Sequence, residues 1–286
     1  MPIDLDKVLG AELPGGSHSW DADDVILYHL GLGAGVPPTD AGELAYVYER
    51  ELKVLPSLAV IPPFATLGGL AGLDGFDVNL ALLLHGEQEL TLSGPIPTAG
   101  EVATTATVKE IYDKGKGALV VVETVSSDAA GNQLFVNRFS SFLRGEGGFG
   151  GDGGPTPPPG APERQPDAVI ECPTLPQQAL LYRLSGDKNP LHADPAYAQK
   201  GGFDAPILHG LCSFGIACKA VVDGVLEGDV GRVGGYRARF AGVVFPGETL
   251  VVRAWREGDD VLLAAETKER GTPVLSNAAI TVRSEE

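Results

Sequence analysis

Between Leu180 and Leu211 the sequence reads LLYRLSGDKNPLHADPAYAQKGGFDAPILHGL, which gathers Asp187, Asn189, His192 and His209 in a protein with five histidines in all. Asp187 and His192 are five positions apart across a turn set by Gly186 and Pro190, so their side chains can converge. A carboxylate and an imidazole meeting at one point can hold and activate a water, and the carboxylate can also fix the imidazole tautomer. Asn189 can add an orienting hydrogen bond. Further along, Pro206-Ile207-Leu208-His209-Gly210 leads into an apolar helical pattern. A helix start offers free N–H groups and a positive dipole end to a developing oxyanion, and Gly210 allows a ligand carbonyl to come close.

A plainer alternative accounts for the same residues: Asp and Asn commonly cap turns, leaving His192 merely packed. His209 is read as structural. Metal binding by His192, His209 and Cys212 lacks any compact ligand spacing, so no metal is expected. Neither Ser213 nor Cys212 sits in a recognisable nucleophile elbow.

The elements that must hold these residues come in two similar sets. Trp20 to Leu32 reads as a short helix capped by Asp21 or Asp23, Tyr46 to Leu52 as a strand, and the Gly-rich stretch after Pro62 and Pro63 as a long buried helix. Four Val-, Thr- and Phe-rich strands follow from Gly86, joined by turn-forming residues. Residues 145–166 are dominated by Gly and Pro and form the natural linker. The second half then repeats the order: Gln178 to Leu184 echoes Val25 to Leu30, a buried helix runs from about Gly210 to Leu226, and strands cover Tyr236–Phe245, Thr249–Arg256, Val261–Lys268 and Val274–Val282. The expected organisation is α+β, with residues 1–144 as one repeat and 167–286 as the other.

Placing Tyr28 on Tyr182 sets Asp187 against Gly33, Asn189 against Gly35 and His192 against Pro38. The first copy carries none of the polar cluster, so one half is expected to do chemistry while the other is kept for shape.

Bulk properties narrow the function classes. A net charge of −17 repels polyanions, which argues against nucleic acid and anionic membrane as partners. An odd count of three cysteines argues against a disulfide framework. With acidic residues near Met1 and no peroxisomal tripeptide in RSEE, a cytoplasmic protein is expected. GLGAGVPP lacks the full dinucleotide fingerprint, so no nucleotide cofactor is expected.

YRLSGDKNPLH followed by PILHGLC resembles the signature of the MaoC-like, (R)-specific type 2 enoyl-CoA hydratases; LHGEQEL, FLRGEGGFGG and PDAVIE are similar to that family as well. The resemblance covers nearly the whole chain. It implies a double hot-dog fold, in which two long helices each lie in a curled antiparallel sheet. It also implies reversible hydration of a trans-2-enoyl-CoA to the (3R)-3-hydroxyacyl-CoA, a homodimer, and no cofactor beyond the CoA of the substrate. Carried over, Asp187 and His192 hold the water, Asn189 supports them, the Gly210 N–H polarises the thioester carbonyl, and the degenerate first half makes room for a long, branched or steroid-derived acyl chain. Arg183, Lys188, Lys219, Arg232, Arg237 and Arg239 are candidates for the CoA phosphates, and Glu49 for a further acid. Two competing readings are a dehydratase acting on carrier-protein thioesters and a non-catalytic acyl-CoA binding module.

Overall fold

A computed structural model describes residues 3–78, 83–158 and 160–283. Among the described residues ten strands succeed one another: β1 (Glu12–Trp20), β2 (Leu83–Leu92), β3 (Gly100–Asp113), β4 (Gly117–Ser127), β5 (Gln133–Arg144), β6 (Ala168–Pro173), β7 (Val233–Phe240), β8 (Thr249–Glu257), β9 (Asp260–Thr267) and β10 (Pro273–Val282). They form one continuous antiparallel sheet in the order β1-β3-β4-β5-β2-β7-β10-β9-β8-β6. Read from the two ends, this order is a palindrome of the two halves: β1 corresponds to β6, β3 to β8, β4 to β9, β5 to β10 and β2 to β7. The halves meet where β2 pairs with β7, from Glu87 opposite Arg239 to Thr91 opposite Gly235.

This is the double hot-dog architecture, with one difference between the copies. In the second half the helix Gly210–Val225 is continuous, and Leu211, Phe214, Ile216, Val221, Val222 and Val225 are buried against the sheet and the first half. In the first half the expected long helix is broken into a 3-10 turn at Pro56–Val60, a single α-turn at Ile61–Phe64 and a 3-10 stretch at Ala65–Gly72. Pro62 and Pro63 each lack an N–H, and the glycines that follow weaken helix further, so no long ladder can form.

Two other expectations need correcting. Tyr46–Leu52 is not a strand: Asp40 caps a helix at Ala41–Val47, its carboxylate accepting the Glu43 N–H at 3.0 Å. Tyr46 then turns inward and donates to the Asp223 carboxylate at 2.6 Å, across the boundary between halves. The first strand of each half, β1 and β6, is present although neither was expected from the sequence pattern. The helix near Trp20 lies at Ala22–Gly31 with Asp21 as its cap, forming a reciprocal capping box with Asp24. Between β5 and β6, the described part of the Gly/Pro stretch holds neither helix nor strand.

Candidate active site

The loop from Gly186 to Ala193 is shaped by its own side chains. Gly186 takes φ of 139°, a conformation that L side chains rarely adopt. Asp187 Oδ1 accepts the Asn189 N–H at 3.0 Å, and Asn189 Oδ1 accepts the Leu191 N–H at 3.0 Å. Pro190–His192 closes a 3-10 turn, which leaves His192 buried with 8% of its surface exposed. The turn-capping alternative therefore holds for one oxygen of Asp187, while the other oxygen, Oδ2, lies 4.0 Å from His192 Nε2.

The tautomer of His192 follows from its other nitrogen. Nδ1 lies 2.8 Å from the Ile207 carbonyl, which can only accept, so Nδ1 carries the proton and Nε2 keeps its lone pair toward Asp187. A gap of 4.0 Å is too long for a direct hydrogen bond and suits a bridging water that donates one proton to each group. Burial lowers the His192 pKa below the ordinary value, and the Arg183 guanidinium adds to this; the Ile207 carbonyl and the Asp187 charge oppose it. The net direction favours the neutral imidazole.

Gly210 is the first residue of the long helix. The Cys212 and Ser213 N–H groups return to the His209 carbonyl at 3.1 and 3.2 Å, so the amides left over by the helix ladder are those of Gly210 and Leu211. A Cβ at position 210 would meet the Phe240 ring at 3.2 Å.

All four expected residues, Asp187, Asn189, His192 and Gly210, line one cavity of about 520 Å³. Its apolar walls come from both halves, with Phe64, Leu67, Leu70 and Phe139 from the first and Leu208, Val244 and Val274 from the second. Glu49 is exposed and does not line it. Sequence reasoning missed His85, Phe139 and Phe240, which form an aromatic corner of the wall: His85 meets the Phe240 ring edge-on at 4.8 Å. The only sequence signal for His85 was its place in LHGEQEL.

A second cavity of about 660 Å³ shares Leu84, His85 and Phe240 with the first, and Lys114, Lys116, Arg138, Arg237 and Arg239 line it. Of the six candidate cations, Arg237 and Arg239 fall here, whereas Lys219 is held by Glu43 at 2.6 Å and Asp223 at 2.9 Å.

Asp187, His192 and His209 bring their ligand atoms within 4.8 Å of one another. The two histidine rings stack at 3.7 Å, however, with an interplanar angle of 28°. Stacked rings point their in-plane lone pairs side by side rather than at a common point, which suits hydrogen bonding better than metal ligation.

Comparison with known proteins gives the family of the chain. Residues 18–145 match the MFE-2 hydratase 2 N-terminal domain, and residues 158–278 match the MaoC-like domain. A MaoC-like dehydratase from Phytophthora capsici superposes with a TM-score of 0.88 at 34% identity, covering 99% of both chains. The fold is therefore that of the MaoC-like hydro-lyases. Among curated relatives, the enoyl-CoA hydratase ChsH3 of Mycobacterium tuberculosis is 44% identical over 96% of this chain and 97% of its own length. The peroxisomal enoyl-CoA hydratase 2 of Arabidopsis thaliana is 42% identical over 95% of this chain and 93% of its own. The chain belongs to the enoyl-CoA hydratase 2 family.

Proposed function

We propose that the chain catalyses the reversible syn addition of water to a trans-2-enoyl-CoA, giving the (3R)-3-hydroxyacyl-CoA, in the β-oxidation of long, branched or steroid side-chain acyl groups. The observation that carries this reading is the 4.0 Å gap between His192 Nε2 and Asp187 Oδ2, open to the same cavity as the first amide of the long helix. In the proposed reaction the water oxygen bonds to the β-carbon while the Asp187–His192 pair takes one of its protons. The α-carbon receives a proton from the pair, and the Gly210 N–H carries the charge that builds on the thioester oxygen. One such donor, aimed at the developing oxyanion, typically contributes about 3–4 kcal/mol. Asn189 holds the loop on which the pair stands. Water addition moves no electrons to or from an external acceptor, so no redox cofactor is called for.

Apolar side chains of the broken first-half helix, Phe64, Leu67 and Leu70, support the proposal that this half accommodates the acyl chain. The basic residues of the second cavity, with Arg237 and Arg239 among them, are proposed to take the anionic end of CoA. The reading extends to a cytoplasmic homodimer.

The test is loss of the enoyl-thioester absorbance with crotonyl-CoA, longer-chain and steroid-CoA substrates, with chiral analysis of the product and a carrier-protein thioester run in parallel. Turnover of CoA thioesters to the (3R) product supports the reading. Turnover of the carrier-bound substrate alone would replace it with the dehydratase reading, and no turnover of either would leave only acyl-CoA binding.

A further inference from the structure

His209 occupies a position whose usual occupants it does not resemble. It is the N-cap of the helix Gly210–Val225, where Ser, Thr, Asp or Asn normally satisfies the free amides, yet its side chain makes no capping hydrogen bond. The ring turns away from its own helix instead. Nε2 lies 3.2 Å from the Asp187 carbonyl oxygen, to which it donates. The ring face lies on His192 with centroids 3.7 Å apart, and the ring also meets Tyr182, tilted, at 5.0 Å. Its Nδ1 is buried and, among the described residues, has no partner. A residue chosen for helix stability alone would cap the amides and would not leave a polar atom unpaired in the interior.

One side chain thus touches the main chain of Asp187 and the ring of His192, and its own backbone leads directly to Gly210. We propose that His209 is a positioning residue that holds Asp187 and His192 in register with the Gly210 amide, an inference that rests on the hydration reading above. The assignment explains two features together. The Nε2–H bond ties the Asp187 loop to the start of the helix across 22 positions of sequence. The stacked ring fixes the plane of His192 so that Nε2 faces Oδ2, and it keeps solvent off that face.

Chemistry requires that the ring doing this carry no charge of its own while His192 takes up a proton. Burial, reinforced by the neighbouring His192 and by Arg183, drives the His209 pKa down to about 2, so it stays neutral throughout. The charged and titratable groups facing His192 are Asp187, Arg183 and His209, and His85 and Arg144 line the same cavity.

Three variants separate the two contacts. His209→Phe keeps a stacked ring without the donor, His209→Gln keeps a donor without the ring, and His209→Ala removes both. The expected result is a kcat about 100-fold lower in His209→Ala, the scale of a misplacement of about 1 Å, with KM changed less than about threefold and with partial recovery in the other two variants. The acid limb of the kcat/KM profile should move to higher pH in His209→Ala and His209→Gln, where water reaches the His192 ring, and stay in place in His209→Phe. Titration of His192 by NMR reads the same shift without turnover. Folded variants with kcat near the original and an unmoved His192 titration would overturn the proposal, and so would a rise in KM alone. Should His209→Ala fail to fold, the Phe and Gln pair decides by the same two measures. An original protein that hydrates no enoyl thioester removes the functional reading instead, whatever the titrations show.

Discussion

Each half of the chain buries a histidine, His29 in the first and His192 in the second, and the two residues are put to opposite uses. In the first half, His29 Nδ1 donates to the Tyr46 carbonyl at 2.7 Å and Nε2 accepts the Leu55 N–H at 3.1 Å. Both nitrogens are taken by backbone, so His29 is a clamp between three chain segments. In the second half, His192 uses one nitrogen in the same way and leaves the other facing a carboxylate across a cavity. Burial alone does not mark a reactive histidine; the distinguishing feature is a nitrogen left unused beside a cavity that a ligand can enter.

The comparison is most easily broken by removing the paired groups. Asp187→Ala and His192→Ala should each lower turnover at least about 100-fold while far-UV circular dichroism stays the same, in keeping with the usual contribution of general acid–base groups. His29→Ala should do the reverse, losing about 2–4 kcal/mol of stability in urea unfolding through two vacated backbone partners and a void, with kcat per folded molecule retained. If His29→Ala lost turnover at full stability, the distinction drawn between the two histidines would fail.

Acid should expose the clamps together. Burial lowers His29 to about 4 and His209 to about 2, so these rings are neutral in the folded protein where the unfolded chain, with ordinary values near 6.5, already binds protons. Above about pH 6.5 both states are neutral and the shifts have no effect; as pH falls from there toward about 4, the unfolded state takes up more protons and stability must drop. A melting temperature that stayed level over this window would show that these rings are not buried as described.

Two smaller effects sharpen the picture. Gly210→Ala should raise KM, because a Cβ there meets the Phe240 ring of the cavity wall at 3.2 Å and the ring must give by a few tenths of an ångström to admit it. Pro38→Ala, at the position matching His192 in the first copy, should leave turnover unchanged in the same absorbance assay.

How far the sequence revealed this arrangement depended on whether the deciding forces were local. Asp187, Asn189 and His192 were legible because their turn is built from their own side chains, with Gly186 and Pro190 fixing the backbone. The internal strands showed through alternation. β1 did not, because ELPGGSHSW carries Pro14, Gly15 and Gly16, and its register shifts between Leu13 and Gly16. β6 is six residues long and pairs on one side only. Tyr46 and Val47 looked strand-like by residue type, yet the Asp40 cap and the tertiary bond from Tyr46 to Asp223 make the segment helical. His209 gave no sign of its contacts, because the bond it makes is to a main-chain oxygen and the stack is formed by tertiary folding.

The β2–β7 pairing has a consequence for how such a chain can change over generations. In a symmetric assembly of two identical subunits, a mutation that alters one site alters its twin as well. Here the copies are joined in one polypeptide, and backbone hydrogen bonds between β2 and β7 link their sheets. Those bonds do not depend on which side chains surround the site. One copy could therefore trade its acid and base for glycine and proline and let its helix break, while the other kept its geometry.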